Sequence, residues 1–161
     1  MTLSPVVHEK EYGYSRWALQ SYHQACQQHG LPQLWRAVSL NSDDAAAVVQ
    51  RLLDENPHLT TIVTPQENCI VGVLKAIRAQ GLHVPDDISV VGLLSDSMSE
   101  LATPPLTTLN FPAAEMGREA ARILLGLLDG TLTTPQQTLI RPELVVRGST
   151  GPVKQSSGTA A

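Results

Sequence analysis

Val84-Pro85-Asp86-Asp87-Ile88-Ser89-Val90-Val91-Gly92 carries the chain from a turn into a buried run and out again. The Pro-Asp-Asp group redirects the backbone, because proline presets φ and aspartate closes local turns on its own side chain. Ile88-Ser89-Val90-Val91 then reads as a central strand, rich in β-branched residues and too short for a helix.

The same alternation extends in both directions. Upstream, 67–80 reads as a helix with Ile70, Leu74 and Ile77 on one side, Lys75 and Arg78 near its negative end, and Gly81 closing it. Before it, Thr60-Thr61-Ile62-Val63 is a β-branched strand. The helix before that is capped by Asn41 or Ser42, with Asp43 and Asp44 beside its positive end. Its core stripe is Ala45, Val48, Val49, Leu52 and Leu53, and Asn56-Pro57 stops it. A strand over 34–40 and a helix over 12–29 precede these. That first helix carries a stripe of Tyr14, Ala18, Tyr22 and Ala25, widened by Trp17 and Cys26. Downstream, 106–109 reads as a strand after the Pro104-Pro105 loop, and 112–129 as a helix with Met116, Ala120, Ile123, Leu124 and Leu127 on its apolar side. A last strand over 138–147 is interrupted by Pro142 and so belongs at an edge. Strands alternating with helices at this spacing predict an α/β fold, a parallel sheet sandwiched by helices on both faces.

Composition narrows the function. At 161 residues and 42% apolar content the chain can bury a core, and no apolar run approaches the roughly 18 residues of a membrane span. Cys26 and Cys69 are too few and too isolated for a disulfide framework or a zinc site. With 11 Lys and Arg against 15 Asp and Glu, and no basic cluster, the chain alone is not expected to bind DNA phosphates. The phosphate-binding and nucleophile-elbow motifs are missing, and no histidine is placed to partner Ser95-Asp96-Ser97. Neither catalysis, nor a metal, nor a cofactor is expected. The start has no secretory signal pattern, so a cytoplasmic location is expected.

One ordered set of motifs is specific: Gly81-Leu82-x-Val84-Pro85-x-Asp87-Ile88-Ser89-Val90-Val91-Gly92, then Pro104-Pro105-Leu106-Thr107-Thr108, Met116-Gly117, and Leu144-Val145-Val146-Arg147-Gly148-Ser149-Thr150. This set resembles the effector-binding domain of the lactose-repressor (LacI/GalR) family of bacterial transcription regulators, over about residues 12–150. The resemblance implies a periplasmic-binding-protein type I fold, in which two similar α/β subdomains clamp a small effector, often a sugar. It also implies homodimers along these subdomains, and DNA contact only through an N-terminal helix-turn-helix that this chain is expected to lack. On that plan, 12–110 is the C-terminal effector-binding subdomain, 111–137 a crossover helix that packs on the N-terminal subdomain, and 138–150 the final strand. Residues 1–11 are expected to be poorly ordered, with the subdomain's first strand missing or poorly replaced, and 151–161 to be a disordered tail.

The resemblance also implies which residues face the effector. Gln66 and Glu67 occupy the places of an Asn-Asp pair ahead of Gly72. Leu93 and Leu94 stand where the family has an aromatic residue and a hydroxyl-binding Asp, with Ser95 and Asp96 just beyond. A carboxylate that accepts hydrogen bonds is thereby replaced by a group that cannot form them. Ala18 takes the place of an Arg, and Arg16 lies about 200° around the helix from it. Leu40 and Phe111 complete the set of positions that line the cleft. Each apolar member could equally be simple core.

The function expected is the ligand-sensing portion of a regulator, binding a sugar or related metabolite. A fragment of a sugar-transport receptor and a truncated regulator without a ligand are the alternatives. The 112–129 helix carries four or five apolar side chains, worth roughly 6–12 kcal/mol if buried, so the chain is expected to self-associate or exchange that helix between copies.

Overall fold

In the computed structural model, which describes residues 3–8, 13–39, 41–94 and 96–153, the strands lie side by side in an order that departs from chain order once. They are β1 (Leu3–His8), β2 (Arg36–Val38), β3 (Thr61–Thr64), β4 (Ser89–Gly92), β5 (Thr107–Asn110) and β6 (Glu143–Val145). Among the described residues they form one sheet in the order β2-β1-β3-β4-β5-β6. All neighbours are parallel except β6, which pairs antiparallel with β5 at the edge through Thr108–Val145, Leu109–Leu144 and Asn110–Glu143.

The helices are α1 (Gly13–His29), α2 (Ser42–Glu55), α3 (Ile70–Ala79), α4 (Asp96–Leu101) and α5 (Ala113–Leu128), with a 3-10 turn at Glu67–Cys69 leading into α3. The chain passes from β1 outward to β2, then back across β1 to β3. With right-handed crossovers that reversal puts α1 on one face and α2 and α3 on the other. α2 and α3 pack against each other. The expected stripe of α2 is buried in full, and it joins Ile62, Ile77, Ile88, Val90 and Leu106 in one core. Asn41 caps α2, its side chain accepting from the Asp43 N–H at 2.8 Å. At the other end Asn56 returns its amide to the Leu52 carbonyl at 2.9 Å.

Four sequence expectations need correction. Residues 3–8 form a strand inside the sheet, parallel to β2 and β3, so the subdomain's first strand is present. Pro5 within this run and its lack of alternation are what hid it. Trp17 and Ala25 do not belong to the buried stripe of α1: Trp17 is 68% exposed and Ala25 is also exposed. Tyr22 and Cys26 define the inner face, and Trp17, five residues before Tyr22, lies about 140° away from it. The strands expected over 34–40 and 138–147 shrink to Arg36–Val38 and Glu143–Val145. Finally, α4 was not foreseen, being a single polar run of six residues. Both cysteines are buried and unbridged, as expected.

Two local devices finish the fold. The Tyr22 hydroxyl donates to the Leu34 carbonyl at 2.8 Å and accepts from the Leu34 N–H at 3.0 Å, holding the approach to β2 against α1. At the far side, Ser149 is fully buried between β4 and β5. Its hydroxyl donates to the Val90 carbonyl at 2.6 Å and accepts from the Thr107 N–H at 2.8 Å, while its own carbonyl accepts from the Val90 N–H at 2.9 Å. The Arg147 guanidinium adds bonds to Leu106 O and Thr108 Oγ1. β4 and β5 pair directly only at Val91–Thr107 and Gly92–Thr108, so the side chain of Ser149 completes their junction.

α5 stands apart from this core. Gly126 is its buried residue, whereas Leu125 is 61% and Leu128 75% exposed, and Met116 and Leu124 are exposed too. What does pack on it is the return segment after Gly130. Leu132 donates its N–H to the Gly126 carbonyl at 2.7 Å, and Thr138 donates to Glu119, which also accepts two bonds from Arg122 at 2.7 and 2.8 Å.

Candidate functional site

Because β1 to β5 run parallel, their carboxyl ends open at one end of the sheet. In open α/β sheets this is the end where ligands bind, since loops there converge without being tied into the ladder. The loops that follow β2, β3, β4 and β5 hold residues 39–41, 65–66, 93–95 and 111–112. Gln66, Leu94 and Phe111 therefore come to one end of one sheet from three separate loops, with Glu67 opening the turn after Gln66. Leu40 and Ser95 lie outside the described residues. Asp96 is the first residue of α4, and its side chain lies outside them as well.

Gln66 is buried in an extended conformation, φ −124° and ψ 111°. Its carbonyl accepts from Cys69 N at 3.1 Å and from Thr64 Oγ1 at 3.3 Å, which closes the 3-10 turn. Glu67 is exposed at the start of that turn, where a carboxylate suits the unpaired N–H groups. Leu94 is only 4% exposed and belongs to the core; its Cγ lies 2.8 Å from the place a Cβ on Gly92 would take. So Leu94 folds back over its own strand and packs into the core beneath this end of the sheet. Phe111 differs: it is 51% exposed at the junction between β5 and α5, an aromatic face on the open side. Ala18 is half-buried on α1.

A Ser–Asp pair that sequence reasoning missed holds the β2 end together. Ser39 directs both its N–H and its hydroxyl to one oxygen of Asp44, each at 2.8 Å. The Ser39 N–H, then its hydroxyl, hold the Asp44 carboxyl below the ordinary carboxylate range. Behind this pair Cys69, fully buried, points its thiol at the Ser39 carbonyl at 3.7 Å. Burial, with the Asp44 charge a smaller cause, pushes that thiol up, so it stays a neutral packing group. The visible signal was a Ser five residues ahead of an Asp at a helix start, a spacing with many innocent uses.

Among the described residues no group of His, Cys, Asp or Glu is placed to hold a metal ion, and no helix is long and apolar enough to cross a membrane. The end of the sheet thus presents buried amide, exposed carboxylate, apolar floor and exposed aromatic face. Groups of these kinds are able to meet a small organic molecule by shape, stacking and a few hydrogen bonds.

Comparison with known proteins identifies the family of the fold. The family of periplasmic binding protein-like domains matches residues 5–150. The transcriptional regulator CelR of Thermobifida fusca is 33% identical over 134 residues, which are 81% of this chain and 39% of that protein. A structure of a CelR–cellobiose complex superposes with a TM-score of 0.81 at 29% identity, over 91% of this chain and 46% of the other. A LacI family regulator from Arthrobacter sp. FB24, in complex with lactose, gives a TM-score of 0.82 at 26% identity, covering 93% of this chain and 57% of its own. The chain spans about two fifths of the length of the curated relatives it matches.

Proposed function

The chain belongs to the family of periplasmic binding protein-like domains, in the form carried by LacI-family transcriptional regulators, and from that premise we propose that it is the C-terminal, ligand-sensing part of such a regulator. It binds a small sugar-like effector at the carboxyl ends of β3, β4 and β5, acts as no enzyme, and works in the cytoplasm. The observation that carries this reading is the convergence of Gln66, Glu67, Leu94 and Phe111 on one end of the sheet, in a fold whose relatives hold cellobiose and lactose.

In this reading Phe111 stacks on the effector ring and Glu67 takes a hydroxyl, with Leu40, Ser95 and Asp96 on the same rim. Leu94 closes the floor beneath them. α5 is the crossover helix, and its exposed apolar side covers, and is covered by, a second lobe that completes the clamp. DNA contact belongs to a separate segment of the regulator. Homodimers form through the exposed apolar side chains of α3 and α4, where Val71, Met98 and Leu101 stand in solvent and Leu101 is 81% exposed.

The test is a thermal-shift titration of the protein with cellobiose, lactose and sugar phosphates. A bound effector at 100 times its dissociation constant adds about 2.7 kcal/mol to stability. Phe111→Ala should abolish the shift while leaving the unliganded melting temperature in place. A shift that survives Phe111→Ala unchanged would remove these residues from the site.

A further inference from the structure

At the opposite end of the sheet, where β4 and β5 begin, the last turn of α3, the 81–84 turn and Thr103-Pro104 enclose a cavity of about 400 Å³. That is within the ~300–1,000 Å³ range of small-molecule sites. Leu74, Ile77, Leu82 and Val84 supply apolar walls, while Arg78 and Thr103 stand at the mouth.

No lining residue is acidic. Of the two carboxylates on the following turn, Asp86 is exposed to solvent and Asp87 is engaged by His83, through its N–H at 2.9 Å and its ring Nδ1 at 3.2 Å. The carbonyls at the end of α3, which would repel an anion, are also occupied. Gln80 N–H bonds Ala76 O at 3.2 Å, Gly81 N–H bonds Arg78 O at 3.0 Å, and Leu82 N–H bonds Ile77 O at 3.1 Å, a closure that Gly81 allows by its φ of +72°. The Arg78 side chain, by contrast, has no hydrogen bond or ion pair among the described residues.

We propose that this cavity is a second binding site, for an amphipathic monocarboxylate. The hydrocarbon body lies on Leu74, Ile77, Leu82 and Val84, and the carboxylate meets the planar fork of the Arg78 guanidinium, a geometry suited to two parallel hydrogen bonds. A single uncommitted cation matches a single negative charge; a phosphate, with more charge and more acceptors, would leave most of them unpaired. The Thr103 hydroxyl is a second donor for the same carboxylate.

Octanoate is the probe, followed by amide NMR shifts and calorimetry on the 161-residue chain. The expected result is saturable shifts at Gly81, Leu82 and Thr103, with acetate and octan-1-ol each far weaker than octanoate. Arg78→Gln, an exposed substitution that spares the core, should weaken octanoate binding about tenfold or more, and Arg78→Lys should restore part of it. Octanoate affinity unchanged in Arg78→Gln overturns the site, because ligand held by the apolar side of α5 would be blind to that residue. Shifts confined to residues 116–128, or none at millimolar octanoate, overturn it as well.

Discussion

The carbonyl oxygen of Ser42 lies 1.9 Å from the point that a β-carbon on Gly72 would occupy, and the Ala46 nitrogen is 3.0 Å from it. The start of α2 is thus seated directly on α3. Gly72→Ala gains about 1 kcal/mol of helix propensity. Against that stands a collision with backbone, which no rotamer change relieves, and overpacking costs about 1–3 kcal/mol or more. The clash wins. With the cost at the upper end of that range, because the clash is with backbone, urea denaturation should show a net loss of about 2 kcal/mol at unchanged slope; a variant as stable as the parent would mean the two helices are not in this contact.

Ser149 offers a second stability test. Its hydroxyl serves Val90 O and Thr107 N at once, at zero exposure. Ser149→Ala leaves both groups unpaired in the interior, at about 1–3 kcal/mol. Denaturation of Ser149→Ala beside the surface control Ser97→Ala measures the difference. A loss equal to the control's would show that water enters and replaces the hydroxyl.

The Asp44 pair sets an acid limit. Its carboxyl is held low in the folded chain, first by the Ser39 N–H and then by the Ser39 hydroxyl. A depressed folded pKa contributes stability that is present in full above the unfolded value, about 3.9, and is lost as pH falls through the folded value. Asp44→Asn should therefore be less stable than the parent at pH 6–7, with the gap closing below about pH 4. Paired melting curves across that range check it, and a gap independent of pH would exclude the carboxylate as its source.

Leu94 and Phe111 separate core from site. Leu94→Ala removes a core side chain and should cost about 2–5 kcal/mol of stability. Phe111→Ala removes a half-exposed ring and should change stability by less than about 1 kcal/mol. Effector binding should respond in the other order. Leu94→Asp, which on the family pattern would restore a hydroxyl acceptor, instead places a carboxylate in the core and should destabilise the fold.

α5 predicts association. Leu124, Leu125 and Leu128 are exposed together with Met116, and burying each leucine is worth about 1.5–3 kcal/mol. Sedimentation at micromolar concentration should show self-association, reversed by Leu125→Lys with Leu128→Lys. A clean monomer that binds no hydrophobic dye would count against it.

Much of this was legible in the residues. The five apolar positions of α2 follow from spacing alone, because a helix stripe repeats every three or four residues and nothing else in 42–55 competes. The motifs around Val84–Gly92 and Pro104–Thr108 point to the fold family, and Gln66, Glu67, Leu94 and Phe111 lie together at one end of the sheet. β1 was missed because its partners, β2 and β3, lie about 30 and 58 residues away, and a strand's stability comes from such partners more than from its own residues. Spacing alone sets Trp17 beside the α1 stripe, but the face that meets the sheet is centred on Tyr22 and Cys26, which leaves Trp17 outside it.

Local pattern, then, determined the helices, most strands and the sheet end at which the candidate residues gather, since those depend on periodicity and chain direction. Tertiary structure decided the rest: that Leu94 is floor and Phe111 surface, that Ser42 rides on Gly72, that Ser39 and Asp44 lock one rim, and that Ser149 joins β4 to β5. Each of these depends on which distant backbone arrives within a few ångströms, and packing settles that only when the whole sheet is assembled.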